Sequence, residues 1–279
     1  MMLGNGRGPL ARAFRSVVMS RRPWQVVLLP GGVLPAGPAY GALLAELGTE
    51  VDARAKELEV YATEAPPPDY SLATEVAGIT RVADDAGFDR FHLVGYSGGG
   101  ASSLAFAASR PERLLSLALM EPAFAGWQEM TDAERSRFER FRPLLDKDGP
   151  EMLAEFQALQ LAPGVDPIPP PPGPPPPWMA KRPAALHAML RTFLASDLDL
   201  ESLRRFDRPV WFALGGRSNP DYFARMAERL ARVFPDFTVD VFPDRHHFDP
   251  PHRIEPERLA ESLRALWRRV DRAEPTLQR

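Results

Sequence analysis

Between Phe91 and Ser109 an apolar run, a glycine-flanked serine and an alanine-rich segment follow one another without a break. That order reads as strand, tight turn and helix, with Ser97 at the apex of Gly95-Tyr96-Ser97-Gly98-Gly99. Such a turn holds the serine in a strained backbone conformation, and side chains at Gly95 or Gly99 would collide with the neighbouring strand or helix. It also lifts the Ser97 hydroxyl above the sheet and aims the Gly98 N–H at a developing oxyanion. Two plainer readings compete. Ser97 could be no more than the N-cap of a helix after a glycine-rich turn. The loop could cradle phosphate, but no Gly-Lys-Ser or Gly-Lys-Thr follows the glycines. The strand before and the helix after favour an exposed nucleophile.

The 279 residues suffice for one large α/β domain with an insertion, or for two small domains. With 44% hydrophobic residues the chain can bury a substantial core. A formal net charge of −3 makes no electrostatic case for nucleic acid or an anionic membrane. Cysteine is absent, which excludes disulfides, thiolate metal sites and a cysteine nucleophile. Arg7, Arg12, Arg15, Arg21 and Arg22 make the start basic, yet no long apolar core or small-residue cleavage site follows. The run Val26-Val27-Leu28-Leu29 is far too short to span a bilayer. A soluble cytoplasmic protein is expected, with a targeting peptide as the lesser alternative.

The pattern predicts strands at Trp24–Leu29, Val51–Ala55, Phe91–Gly95, Leu114–Met120, Pro209–Leu214 and Thr238–Phe242. Between them it predicts helices over Ala39–Leu47, from the N-cap Ser71 to Ala86, over Asp221–Val233 and over Glu255–Val270. Strands alternating with helices imply an α/β fold with a mostly parallel central sheet and helices on both faces. The alternation lapses after Pro122, where helical patches cover Asp132–Phe141, Met152–Leu161 and Pro183–Ala195. A tract of eight prolines and one glycine, 169–177, lies among them and is expected to be polyproline-like or disordered. It reads as a rigid connector, with a ligand for a proline-recognition domain as the alternative. The expected organisation is an N-terminal extension (1–22), a core (23–121 and 207–279) and an inserted helical cap (122–206).

With these elements in place the chain resembles the α/β-hydrolase fold family over roughly residues 23–272. The resemblance rests on the motif around Ser97, on the Pro30-Gly31-Gly32 turn after the first strand, and on His247 in the last loop. Fewer than two dozen residues precede the first strand, so the amino-terminal hairpin common in that family is expected to be reduced or absent. The resemblance also implies Ser97 as nucleophile and a later histidine as base. In Phe242-Pro243-Asp244-Arg245-His246-His247-Phe248 the family's register of proline, three residues and then the histidine selects His247 over His246. The competing reading is a metal pair, since histidines with Asp244 or Asp249 can bind zinc, but no second ligand cluster is evident. His92 and His187 read as structural or cap-lining.

The acid is the difficult member. Many relatives carry it three residues beyond a glycine after the strand at Pro209–Leu214, and that count from Gly216 lands on Asn219, which carries no charge. Asp221 follows, where capping and the helix dipole also account for a carboxylate. Glu121, directly after Leu114–Met120, matches an alternative position known in the family, including a group of haloalkane dehalogenases. It is preferred to Asp221, because a carboxylate there is costly without a partner. Its plainer reading is a charged residue opening the cap.

The resemblance then implies acyl transfer by Ser97, His247 and Glu121, with an oxyanion hole from the N–H groups of Gly98 and Gly32. The expected substrate is a small ester, lactone or related acyl compound, with no cofactor and no metal. A serine nucleophile argues against dehalogenation and epoxide opening. A non-catalytic binding protein, a cofactor-free perhydrolase and a carbon–carbon bond hydrolase remain alternatives. Trp127, Phe138, Phe141, Phe156, Trp178, Met179 and Met189 are candidates either for a pocket lining or for the cap's own core.

Overall fold

The computed structural model describes residues 22–167, 169 and 172–273. The expected N-terminal extension and its targeting-peptide alternative therefore lie, but for residue 22, outside the described residues. So do Pro170 and Pro171 of the proline tract.

Within this range the six expected strands form one sheet, β1 (Trp24–Leu29), β2 (Val51–Ala55), β3 (Phe91–Tyr96), β4 (Leu114–Met120), β5 (Val210–Gly215) and β6 (Phe237–Phe242). Their order is β2-β1-β3-β4-β5-β6, and every pairing is parallel. The central strands are apolar along their whole length because both faces are covered. Val26, Leu28, Val94 and Ala118 pack on one side, against α1 (Ala36–Leu47) and α10 (Pro256–Ala273). Val27, Leu29, Leu93 and Leu117 pack on the other, against α2 (Leu72–Asp85), α3 (Gly98–Ser109) and α8 (Arg225–Val233). The remaining helices are α4 (Asp132–Glu139), α5 (Gly149–Ala158), α6 (Arg182–Ala195), α7 (Leu200–Arg204) and α9 (Pro251–Ile254).

Differences from the sequence expectations sit at element ends. Helix α1 begins at Ala36 rather than Ala39, taking Pro38 into its first turn, where a missing N–H breaks no intrahelical bond. The helix expected from Asp221 opens as a π-turn, Pro220–Ala224, before α8. Short α7 and α9 were not foreseen. They are too brief to show a periodic pattern, and Asp199 caps α7 by accepting from the N–H groups of Glu201 and Ser202. At the end of the proline tract Pro176 has φ −63° and ψ 151°, the polyproline region.

The chain winds outward from β1 to β2 and then returns to the other side of β1 as β3. Such a reversal opens a crevice at the carboxyl ends of the strands on either side of it. Helices α4 to α7 all fall between β4 and β5. Buried Arg229 of α8 fastens the start of this segment by donating to the carbonyls of Ala125, Gly126 and Gln128 at 2.9–3.3 Å. Glu134 lies 3.5 Å from its Nε.

Trp267 is fully buried between Trp24, at 5.2 Å between ring centroids, and His92, at 5.4 Å. It joins α10 to the sheet. Trp267→Ala should lower the free energy of unfolding by about 3–5 kcal/mol. Urea titration checks this, and a loss below about 1 kcal/mol would show that the cluster repacks.

Candidate active site

Ser97 follows β3 directly and has φ 52° and ψ −116°, a conformation that disfavours any side chain. Three backbone hydrogen bonds hold it there. Ser97 N–H donates to Met120 O at 3.0 Å, Ala123 N–H donates to Ser97 O at 2.8 Å, and Gly99 N–H donates to Pro30 O at 3.0 Å. A Cβ on Gly99 would stand 2.5 Å from the carbonyl oxygens of both Leu29 and Pro30, and one on Gly95 would overlap Ser103 Oγ. Both motif glycines are therefore demanded by close approach of α3 to the sheet. The Ser97 side chain makes no capping bond to α3, so the N-cap explanation fails.

The Ser97 hydroxyl instead meets His247, with Oγ 3.0 Å from Nε2. On the far side of the ring Nδ1 is 3.1 Å from Glu121 Oε2. An acceptor there requires Nδ1 to carry the proton, which leaves Nε2 to accept from the serine. The other Glu121 oxygen accepts the Gly215 N–H at 2.8 Å. Glu121 has φ 44°, a second strained residue directly after a strand. The three side chains are nearly removed from solvent, at 6%, 1% and 4% exposure for Ser97, His247 and Glu121.

Two aromatic residues hold the imidazole. Phe223 stacks on it at 4.6 Å and 14°. Tyr96, the variable residue of the glycine–serine motif, donates its hydroxyl to the His247 carbonyl. Burial pushes the Tyr96 phenol well above its ordinary range, with the Glu121 charge adding to it, so the donor stays protonated. Tyr96 also packs at 4.7 Å against His252, which is buried with its Nδ1 unpartnered. Burial pushes the His252 pKa down to about 3.

The other candidates lie elsewhere. Asp221 pairs with Arg137 at 2.7 Å and Arg225 at 3.5 Å and is half exposed. His246 accepts the Phe248 N–H at 3.2 Å, and burial lowers its pKa. His92 bonds Ser116 Oγ at 2.8 Å, and His187 bonds the Leu144 carbonyl at 3.1 Å. Among the described residues no group of three or more His, Asp or Glu gathers as a metal site. No helix among them is long and apolar enough to cross a membrane.

Gly98 opens α3, so its N–H has no intrahelical acceptor. Gly32 and Ser97 line one cavity, whose free volume is only about 20 Å³. Its other walls include Phe138, Phe141, Phe156, Phe193, Met189 and Tyr222. The Met189 thioether rests against both glycines, and a Cβ on Gly98 would overlap its methyl group. Four of the seven apolar candidates from the sequence thus line the cavity. Trp127 instead donates its indole N–H to Phe193 O, and Trp178 stands 5.3 Å from the Arg182 guanidinium. Gln160, a polar wall residue, carried no sequence signal. A larger open groove of about 930 Å³ between α2, α3 and the start of α7 holds none of the catalytic candidates.

Comparison with known proteins establishes the family and the fold. The sequence model described as "Alpha/beta hydrolase family" matches residues 26–262. A Caulobacter vibrioides protein named "Putative carbamate hydrolase RutD" is 32% identical over 97 residues, which span 35% of this chain and 35% of that protein. The matched stretch is thus about a third of the relative's length. A thermophilic esterase from Thermogutta terrifontis superposes with TM-score 0.66 at 19% identity, covering 88% of this chain and 90% of that one. Naproxen esterase from Bacillus subtilis gives 0.58 at 17%, covering 87% and 83%. At such identities these structures establish the shared fold.

Two outcomes are expected from the local packing. Met189→Ala should enlarge the cavity beside Gly32 and Gly98 and raise binding of larger apolar ligands at least severalfold, which a chain-length series of such ligands measures. Unfolded His252 takes up a proton near pH 6.5, whereas the folded residue resists protonation down to about 3. The unfolded state therefore binds more protons in that window, and stability falls as pH drops through it. His252→Phe should lose less stability than wild type between pH 7 and about 4.5, read by urea unfolding at each pH.

Proposed function

The chain belongs to the alpha/beta hydrolase family, and on that premise we propose that it is a serine hydrolase cleaving small esters, lactones or related acyl compounds through an acyl-enzyme. The observation that carries this is the unbroken relay from Ser97 Oγ to His247 Nε2 and from Nδ1 to Glu121, at 3.0 and 3.1 Å. His247 takes the Ser97 proton as Oγ bonds to the carbonyl carbon. The oxyanion that forms accepts from the N–H groups of Gly98 and Gly32. When the tetrahedral carbon re-forms its carbonyl, the bond to the leaving oxygen breaks and His247 returns the proton to it. Water then attacks the acyl-enzyme by the same path, with His247 again as base, and frees the acid and Ser97.

Glu121 orients the imidazole and stabilises its charged form. Its second oxygen is held by the Gly215 N–H, so the carboxylate cannot rotate away from the ring. Helices α4 to α7, within residues 122–206, act as a cap that closes the cavity over Ser97. Walls of phenylalanine and a free volume near 20 Å³ favour a short, neutral acyl group. The named activity of the Caulobacter relative brings carbamates into the range to be tested.

The test is turnover of 4-nitrophenyl esters of increasing acyl length, with Ser97→Ala as control. Wild type should act on short acyl groups, and equal turnover by Ser97→Ala would remove the nucleophile. Glu121→Gln should lower kcat by roughly a thousandfold or more, as loss of a triad acid does. Asp221→Asn, which only loosens a surface ion pair, should stay within about threefold of wild type. The reverse ranking would reassign the acid.

A further inference from the structure

We propose that Gln160 determines specificity: its side-chain carbonyl selects small acyl groups bearing an N–H or O–H donor beside the reacting carbonyl. The proposal rests on the serine-hydrolase reading for its chemistry and on the cavity for its geometry. Gln160 is 1% exposed and lines the cavity that holds Ser97. Its Nε2 donates to the Phe156 carbonyl at 2.9 Å. A carbonyl can only accept, so it decides which way the amide is turned and leaves Oε1 facing away from it. Among the described residues no donor reaches Oε1.

The other polar side chains of the cavity are committed. Ser97 is bonded to His247, and the Tyr222 hydroxyl donates to the Ala123 carbonyl. The main chain around Gln160 is also locked. Asn219 N–H donates to Gln160 O at 3.0 Å and Asn219 Nδ2 donates to Leu159 O at 2.8 Å. Ala162 N–H donates to Arg217 O at 3.0 Å. With Nε2 on the Phe156 carbonyl and the main chain fixed by Asn219, the side chain keeps one orientation in a cavity whose other walls are mainly apolar. A substrate lacking a donor leaves Oε1 desolvated and unpaired, which is how a buried polar group rejects an apolar analogue. The N–H of an N-monosubstituted carbamate and the O–H of a 2-hydroxyacyl group both meet the requirement. The tight cavity keeps such a donor within a few atoms of the carbonyl that Ser97 attacks.

Two pairs of 4-nitrophenyl substrates test this. The 2-hydroxypropanoate is set against the 2-methylpropanoate, and the N-methylcarbamate against the propanoate. Each pair exchanges a donor for a carbon group of similar size. Wild type should prefer the hydroxypropanoate at least tenfold beyond the preference of hydroxide ion for the same pair. Gln160→Met, similar in length but with no carbonyl, should lower the donor preference at least tenfold. Gln160→Glu, neutral near about pH 5 in so apolar a cavity, keeps a carbonyl and should restore it. A response in one pair alone identifies which donor is read, and an unchanged preference in both overturns the proposal. If Gln160→Met fails to fold by circular dichroism, the wild-type comparison decides, and parity with hydroxide overturns it. If wild type is no faster than Ser97→Ala, the serine-hydrolase reading falls and specificity is judged by binding alone. In NMR titrations the Ser97→Ala protein should then bind methyl 2-hydroxypropanoate at least tenfold more tightly than methyl 2-methylpropanoate, which has no donor, and equal affinities overturn the proposal.

Discussion

The first turn of α3 touches the backbone at the end of β1, and the rest of the site depends on that contact. A Cβ at Gly99 would stand 2.5 Å from the Leu29 and Pro30 carbonyls, so only glycine lets the helix start there. Because it starts there, the chain must reverse within one residue, and Ser97 takes up φ 52°. Local energy disfavours that angle, so tertiary bonds to Met120, Ala123 and Pro30 must hold it. The strain is thus balanced by hydrogen bonds to two places, the end of β4 with its following loop and the turn after β1. In the proposed mechanism, a hydroxyl fixed in this way has little conformational freedom left to lose when it reaches a reacting carbon.

The neighbouring strand ends share the other tasks. Glu121 occupies the end of β4 and reaches His247 from there, so in the proposed triad the loop after β5 carries no acid. Asn219, which the usual register would make that acid, does structural work instead. Its backbone and side-chain amides hold Leu159 and Gln160, and its Oδ1 accepts the Asp221 N–H at 3.1 Å. Those bonds fasten the segment after α5, whose Gln160 lines the cavity.

The sheet and the three polar candidates were legible in the sequence because their signals are local. Buried strands such as Val26–Leu29 are continuous apolar runs, and the Gly95–Gly99 spacing records a steric demand at each glycine. His247 could be chosen over His246 only by register, since both share composition and neighbourhood. Glu121 could be preferred through the cost of a lone carboxylate at a buried strand end. The region between β4 and β5 was legible only in part. Its short helices show apolar periodicity, but periodicity does not say whether an aromatic residue faces the cavity or its own core. Phe138 does the first while Trp127 packs behind it, at 5.0 Å between centroids. Gln160 was invisible for the same reason: its position is set by the Asn219 N–H, far away in sequence, while the Asn219 side chain holds the neighbouring Leu159 carbonyl.

The dryness of the cavity acts on its polar groups in two opposite ways. Phe223, Phe156 and Phe193 keep water from the relay, and in a medium of low dielectric the attraction between Glu121 and a protonated His247 is stronger than in water. The same exclusion makes any unpaired polar atom expensive, and among the described residues no donor reaches the Gln160 side-chain carbonyl. One environment therefore favours charge where a partner is built in and penalises polarity where a partner must be supplied. A bound acyl group that brings its own donor removes that penalty, and one that does not retains it. Rate and selectivity would then share a cause: walls that strengthen the relay also make Gln160 discriminate.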